Sequence, residues 1–156
     1  MPKMKDVVAH LRAVVTESGA NTYTEQAINT NINPLSNQII MIHDVTFDID
    51  PAGQYNANGD QLECALLKQT KTTMVDMNDQ DLIAKVRLAM VILTSGGGVP
   101  NSVLRYYFDP PEPIAVDQLI LAIMGTGLGG AATVGVDIRY TPAQISDGEF
   151  AKLAKF

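Results

Sequence analysis

The chain predicts an all-β fold, an antiparallel sandwich of about eight strands with a short N-terminal helix or arm and a short C-terminal helix. Three observations carry this. Several segments alternate apolar and polar residues with a period of two, the signature of half-buried strands. These segments are short and punctuated by Gly, Pro and Asn turns, which suits two packed sheets more than a βαβ array. The 156 residues are enough for one domain that buries roughly two-thirds of its unfolded surface. A barrel is the architectural runner-up.

At the N-terminus Met4, Val7, Val8, Leu11, Val14 and Val15 recur with helical spacing, which predicts an amphipathic helix or arm over residues 1–20. A strand alternation, Val7, Ala9, Leu11, Ala13 and Val15, competes with it. The domain proper is then 21–156. Residues 18–37 read as polar turns around a short segment from Tyr23 to Thr30. The clearest strand follows, with Ile39, Met41, His43, Val45, Phe47 and Ile49 on one face and Asp44, Thr46, Asp48 and Asp50 on the other. His43 falls in the apolar set, so it reads as a hydrogen-bonded core or interface histidine.

Asp48-Ile-Asp50-Pro-Ala-Gly53 resembles the start of a calcium loop, but Ala52 and Gly59 stand where that loop needs ligands. The Asn56 to Asp60 stretch reads instead as an exposed turn. Gln61 to Thr73 predicts a strand, Asn78 to Asp81 a short helical turn, and Lys85 to Leu93 another strand. Ser95 to Gly98 is a flexible loop, and Ser102 to Phe108 a strand. Pro110, Pro111 and Pro113 each remove a ladder donor, so this stretch cannot be a central strand and is expected to cross the surface in extended form. Ile114 to Val116 resumes a strand.

Leu119 to Tyr140 holds two apolar runs around Gly125-Thr-Gly-Leu-Gly-Gly130. The spacing is that of a dinucleotide-binding fingerprint, but the context is not. Such a motif opens a helix and continues into a second parallel strand. Here Val134, Val136, Ile138 and Tyr140 alternate with Thr133, Gly135, Asp137 and Arg139, so a strand follows and the glycines form a flexible loop between two late strands. The last element is a helix. Ser146 and Glu149 form a capping box, Ile145 and Phe150 a hydrophobic staple, and Lys152 and Lys155 sit where the dipole favours cations.

Composition narrows the function. The net charge is −6 and no Lys/Arg cluster exists, which disfavours sequence-specific or backbone-driven nucleic-acid binding. The single cysteine, Cys64, allows neither an internal disulfide nor a Cys-rich zinc site, and its apolar neighbours make it a buried small hydrophobe. His10 and His43 are the only histidines, and no nucleophile motif accompanies them. The expectation is a protein without catalytic residues, cofactor or metal. No signal peptide or membrane span is expected, and synthesis is expected in the cytoplasm.

The chain resembles the single jelly-roll coat proteins of small icosahedral viruses, of the bacterial and archaeal virus type. The resemblance runs from about Tyr23 to the end. It rests on Ile28-Asn-Thr-Asn-Ile-Asn-Pro34 before Gln38 to His43, on Phe108-Asp-Pro-Pro-Glu-Pro-Ile-Ala-Val116 leading into Leu119 to Ile123, and on Val136-Asp-Ile-Arg-Tyr-Thr141 followed by the capped Ser146 helix. It implies a structural virion protein that assembles with copies of itself, and with other capsid proteins, into a closed shell. The first 20 residues hold only Lys3, Lys5 and Arg12 as basic residues, unlike the long basic arms of coat proteins that bind their genome. A shell over a membrane or over separately condensed nucleic acid fits better. The candidate assembly arm is Lys3, Lys5, Val8, Leu11 and Arg12, through which membrane or genome contact would run. Candidate contacts of the C-terminal helix are Phe150, Leu153 and Phe156. The rival reading is a soluble β-sandwich binding module, for a carbohydrate, a cell surface or a phage tail, with its ligand in the loops at 54–60 and 95–101.

Overall fold

Two antiparallel sheets face each other across one apolar core. The computed structural model describes residues 3–4, 8–50, 60–89 and 102–153. In chain order the strands are β1 (Lys3–Met4), β2 (Ala9–Thr16), β3 (Thr24–Asn29), β4 (Gln38–Asp50), β5 (Gln61–Leu67), β6 (Leu82–Ala89), β7 (Ser102–Ile114), β8 (Gln118–Thr126) and β9 (Thr133–Gln144), followed by the helix α1 (Asp147–Leu153). The first sheet runs β1-β9-β4-β7, with β2 also on β9, and the second runs β3-β8-β5-β6. Strands β1 and β2 lie end to end along β9, since Met4 faces Ala143 and Ala9 faces Tyr140. Each sheet therefore has four strand positions. Among the described connections only β5 to β6 joins sheet neighbours, and the others cross between sheets. That is jelly-roll topology.

The core follows from the alternation in the sequence. Phe47 and Ile49 of β4, with Val134, Val136 and Ile138 of β9, meet Leu62, Leu66, Leu121 and Ile123 of the second sheet. Burying one such aliphatic side chain contributes roughly 1.5–3 kcal/mol.

The N-terminal helix expectation is corrected. Residues 9–16 form β2, paired in register with β9 from Ala9–Tyr140 to Thr16–Thr133. A helical stripe would bury Val14 and Val15 together; in the strand Val15 is buried and Val14 is 63% exposed. The ladder partner decided between two patterns that the residues alone left open.

Strand β4 departs from expectation at one residue. Ile42 faces Tyr140 and Asp44 faces Arg139, so His43 is an extra residue at a bulge. The phase of the strand flips there. Ile40 and Ile42 join Val45, Phe47 and Ile49 in the main core, whereas Ile39 and Met41 face the other way and pack with Ala115, Ala143, Ile145 and Phe150. His43 is half-buried with a ring nitrogen, Nε2, 2.5 Å from Thr141 Oγ1.

The proline-rich stretch is extended and lies on an edge, as its missing donors require. It is not a surface link between strands, however, but part of β7 itself, pairing Met41 with Pro113 and Ile42 with Glu112. Strand β5 ends at Leu67, short of Thr73. Residues 68–81 leave the ladder and fold across the outer face of the second sheet, where Val75 and Met74 pack on Ala65, Leu67, Ile120 and Ala122. The expected helical turn at Asn78 to Asp81 is a side-chain-capped turn: Asp81 N donates to Asp79 Oδ1 at 2.8 Å, and Leu82 N donates to Asp79 O at 3.2 Å. An aspartate offering its own backbone a local acceptor competes with helix.

The glycine segment crosses between sheets, because β8 and β9 belong to different ones. It is held tightly. The Glu17 carboxylate, 4% exposed, accepts from Gly125 N and Thr22 N at 2.9 Å and from Ala132 N at 3.0 Å. Asn21 pairs both ways with the Leu128 backbone, its Nδ2 donating to O at 3.0 Å and its Oδ1 accepting from N at 2.7 Å. Gly127 has φ +76°, and side chains at Gly125 and Gly127 would collide with Leu128 and Asp60. These glycines permit close approach rather than movement.

The capping box is present. Glu149 N donates to Ser146 Oγ at 3.3 Å and Ser146 N donates to Glu149 Oε2 at 3.2 Å. Residues 51–59 and 90–101, which include the calcium-like segment beyond Asp50 and the Ser95 to Gly98 segment, lie outside the described residues.

Candidate interaction surface on the open sheet

The two sheets treat their outer faces differently. The second is covered by residues 68–81. Among the described residues the first is capped only at one corner, by Ile145 and Phe150 over Ile39 and Met41, and its remaining outer face carries a dense set of charged side chains.

That face is built by the outward residues of four neighbouring strands. Its first row is His10, Arg139, Asp44 and Tyr107; its second is Arg12, Asp137, Thr46 and Arg105; its third is Val14, Gly135, Asp48 and Val103. Three of the chain's four arginines lie here. Arg139 Nε donates to Asp44 Oδ2 at 2.6 Å, and Asp44 is nearly buried while the Arg139 side chain is 45% exposed. Asp137 Oδ1 lies 2.9 Å from His10 Nδ1 and 3.6 Å from Arg12 Nε. Arg105 Nε donates to Thr46 Oγ1 at 3.0 Å, and its guanidinium sits 5.7 Å from the centre of the Tyr107 ring. Exposed pairs of this kind contribute about 0–1 kcal/mol each, so they do little for the fold. Holding the side chains in an ordered array is their larger effect.

At Gly135 the array has a dip. The missing side chain leaves a shallow depression of about 350 Å³ between Val14, Asp48, Arg12 and Asp137. Around it Val14, Val103 and Tyr107 are exposed by 63%, 67% and 69%. Arg12, Arg105 and Arg139 are matched by Asp44, Asp48 and Asp137, so with neutral histidine the charges cancel. Such a face has no net attraction for a phosphate backbone. Arginine, an aromatic ring and mixed charge are the composition of protein–protein contacts.

The candidate arm residues divide. Lys3 is in β1, Lys5 lies outside the described residues, Val8 precedes β2 and is half-exposed, Leu11 is in the main core, and Arg12 stands on the open face. Of the helix residues, Phe150 packs on the corner cluster, Leu153 is exposed, and Phe156 lies outside the described residues. Tyr107, Arg105 and Arg139 were not singled out from the sequence. The alternation around Asp137 and Arg139 marked them as one outward face, but only the strand order shows which strands stand beside it.

Elsewhere, burial first, then Glu17 and Glu63, pushes the Cys64 thiol far above its ordinary range, so it is no thiolate nucleophile. Burial and a hydrogen bond to Glu25 likewise raise the Tyr23 hydroxyl. Among the described residues no group of three or more His, Cys, Asp or Glu is placed to hold a metal, and no helix is long and apolar enough to cross a membrane.

Among solved structures, the chain is similar to one from the X-ray crystal structure of tomato aspermy virus, with 13% sequence identity, a TM-score of 0.44, and coverage of 88% of this chain and 79% of that one. No family model matches the chain, and no curated protein matches it in sequence.

Proposed function

We propose that this protein is a structural virion subunit, a non-enzymatic coat protein whose copies assemble into an icosahedral shell. The observation that carries the reading is the open face of the first sheet, an ordered Arg/Asp array with three exposed apolar side chains on a jelly-roll body. Jelly rolls serve as capsid, lectin and cupin domains alike, so the fold leaves the role open and the surface has to choose. A charge-balanced face ringed by Val14, Val103 and Tyr107 suits a protein neighbour, and many identical neighbours make a closed shell. The partners in this reading are other copies and further capsid proteins, and the location is the virion.

Size-exclusion chromatography with negative-stain microscopy of the purified chain tests it. Pentamers, hexamers or particles are the expected result. A monomer at every concentration and salt overturns it. The rival binding-module reading puts its ligand on loops that, Asp60 apart, lie outside the described residues, and it predicts that monomer.

A further inference from the structure

The geometry points to the free edge of β2 as a self-pairing strand, joining two copies antiparallel about a two-fold axis at Ala13. Strand β2 is laddered to β9 on one side and, among the described residues, to no strand on the other. The edge is open in space as well. A groove of about 360 Å³ runs beside it, lined by residues 11–14 of β2 and 26–29 of β3. Free edges of this kind are ordinarily guarded by prolines, lysines, bulges or very short strands. Strand β7, at the opposite edge of the same sheet, has Pro110, Pro111 and Pro113 and a register shift. Strand β2 has eight residues in unbroken register, no proline, lysine or bulge, and one exposed charge, Arg12.

The occupant follows from the residues of β2. Directly opposed residues in an antiparallel pair share a face, so a two-fold axis must pass through a residue. An axis at Arg12 sets each exposed guanidinium against its own image. An axis at Leu11 sets His10 against Arg12, and one at Val14 shortens the overlap. With the axis at Ala13, Arg12 lies opposite the partner's Val14, Leu11 opposite the partner's Val15, and His10 opposite the partner's Thr16. This register pairs residues 10–16, opposes no like charges and places the smallest side chain at the centre. The two open sheets then join into one continuous sheet with a single Arg/Asp face. The contact stands independently of the shell.

Cysteine cross-linking and analytical ultracentrifugation of the full chain test it. Cys64 is buried and does not compete. In an antiparallel pair the two Ala13 positions fall within disulfide range, so Ala13→Cys is expected to form covalent dimers under mild oxidant at least about tenfold faster than Arg12→Cys. Val14→Lys sets a second cation opposite each Arg12 and is expected to raise the dimer dissociation constant about tenfold, whereas Val14→Glu, which offers Arg12 a partner, is not. Both Val14 variants replace a solvent-facing side chain, and unchanged melting curves show that their folds are intact. Faster cross-linking of Arg12→Cys overturns the register. A monomer up to millimolar concentration with no Ala13→Cys dimer, or equal behaviour of the two Val14 variants, overturns the contact. Dimers without particles remove the shell and keep this contact; particles whose Ala13→Cys chains form no covalent dimer do the reverse.

Discussion

The central strands of the second sheet, β5 and β8, are buried on both faces, whereas the first sheet has a core face and an open face. Their sequences differ accordingly. Strand β5 is buried from Leu62 to Leu67 and β8 from Leu119 to Ile123, and both read as nearly continuous apolar runs. Strands β2 and β9 alternate. Residues 68–81 explain the difference, since Val75 and Met74 make a third layer over Ala65 and Ala122. Two bonds tie that layer to the sheet: Lys71 N donates to Glu25 Oε1 of β3 at 2.7 Å, and Lys85 Nζ of β6 donates to Val75 O at 2.8 Å. One sheet stabilises the fold from both sides, and the other leaves half its area for contact.

Substitutions should separate the two faces. Ala65→Lys drives a charge between the second sheet and its cover, and should lower unfolding stability by about 3–5 kcal/mol in chemical denaturation. A small loss would mean that the cover is loosely attached. Glu17→Ala strands three backbone donors where the sheets meet and should cost about 3 kcal/mol by the same measurement. Ser146→Ala removes the cap of the helix over the corner of the open sheet and should cost about 1 kcal/mol.

Acid should loosen the cover too. The backbone N–H of Asp81 first, then Lys71, hold the Asp79 carboxyl below its ordinary value of 3.8. A carboxylate with a lowered folded pKa contributes its stabilisation above that ordinary value and loses it as pH falls through the folded one. Amide exchange in residues 68–81 is expected to quicken below pH 3.8 before the core strands exchange. The smallest effect on the fold belongs to the open face. Tyr107→Ala should change stability by no more than about 0.5 kcal/mol while impairing assembly, as read by microscopy.

Much of this architecture is legible in the residues. The alternation of β9, the edge position of the proline strand and the Ser146 cap each follow from one local rule. What escaped depends on partners distant in sequence. Residues 9–16 fit helix and strand equally until β9 lies beside them. The flip at His43 is invisible because Ile39-Ile-Met-Ile42 is apolar throughout, so either phase fits before the bulge. Val75 and Met74 stand in a polar stretch with no period, so nothing local marks them as a lid over Ile120. The open face was half legible: Asp44, Thr46 and Asp48 read as one polar row, but the arginines that complete it come from other strands.

The clamp of Glu17 and Asn21 on residues 125–132 bears on where foreign sequence can be inserted. Glycine-rich connections invite peptide insertion, and by composition Gly125 to Gly130 is the obvious graft site. Here an inserted peptide would displace the Leu128 backbone from Asn21 and the Gly125 and Ala132 amides from Glu17. Epitopes or tags placed there should abolish soluble expression. Ser18, Gly19 and Ala20, of which only Ser18 makes a side-chain hydrogen bond, to Thr24, make the better neighbour to try at the same end of the sandwich.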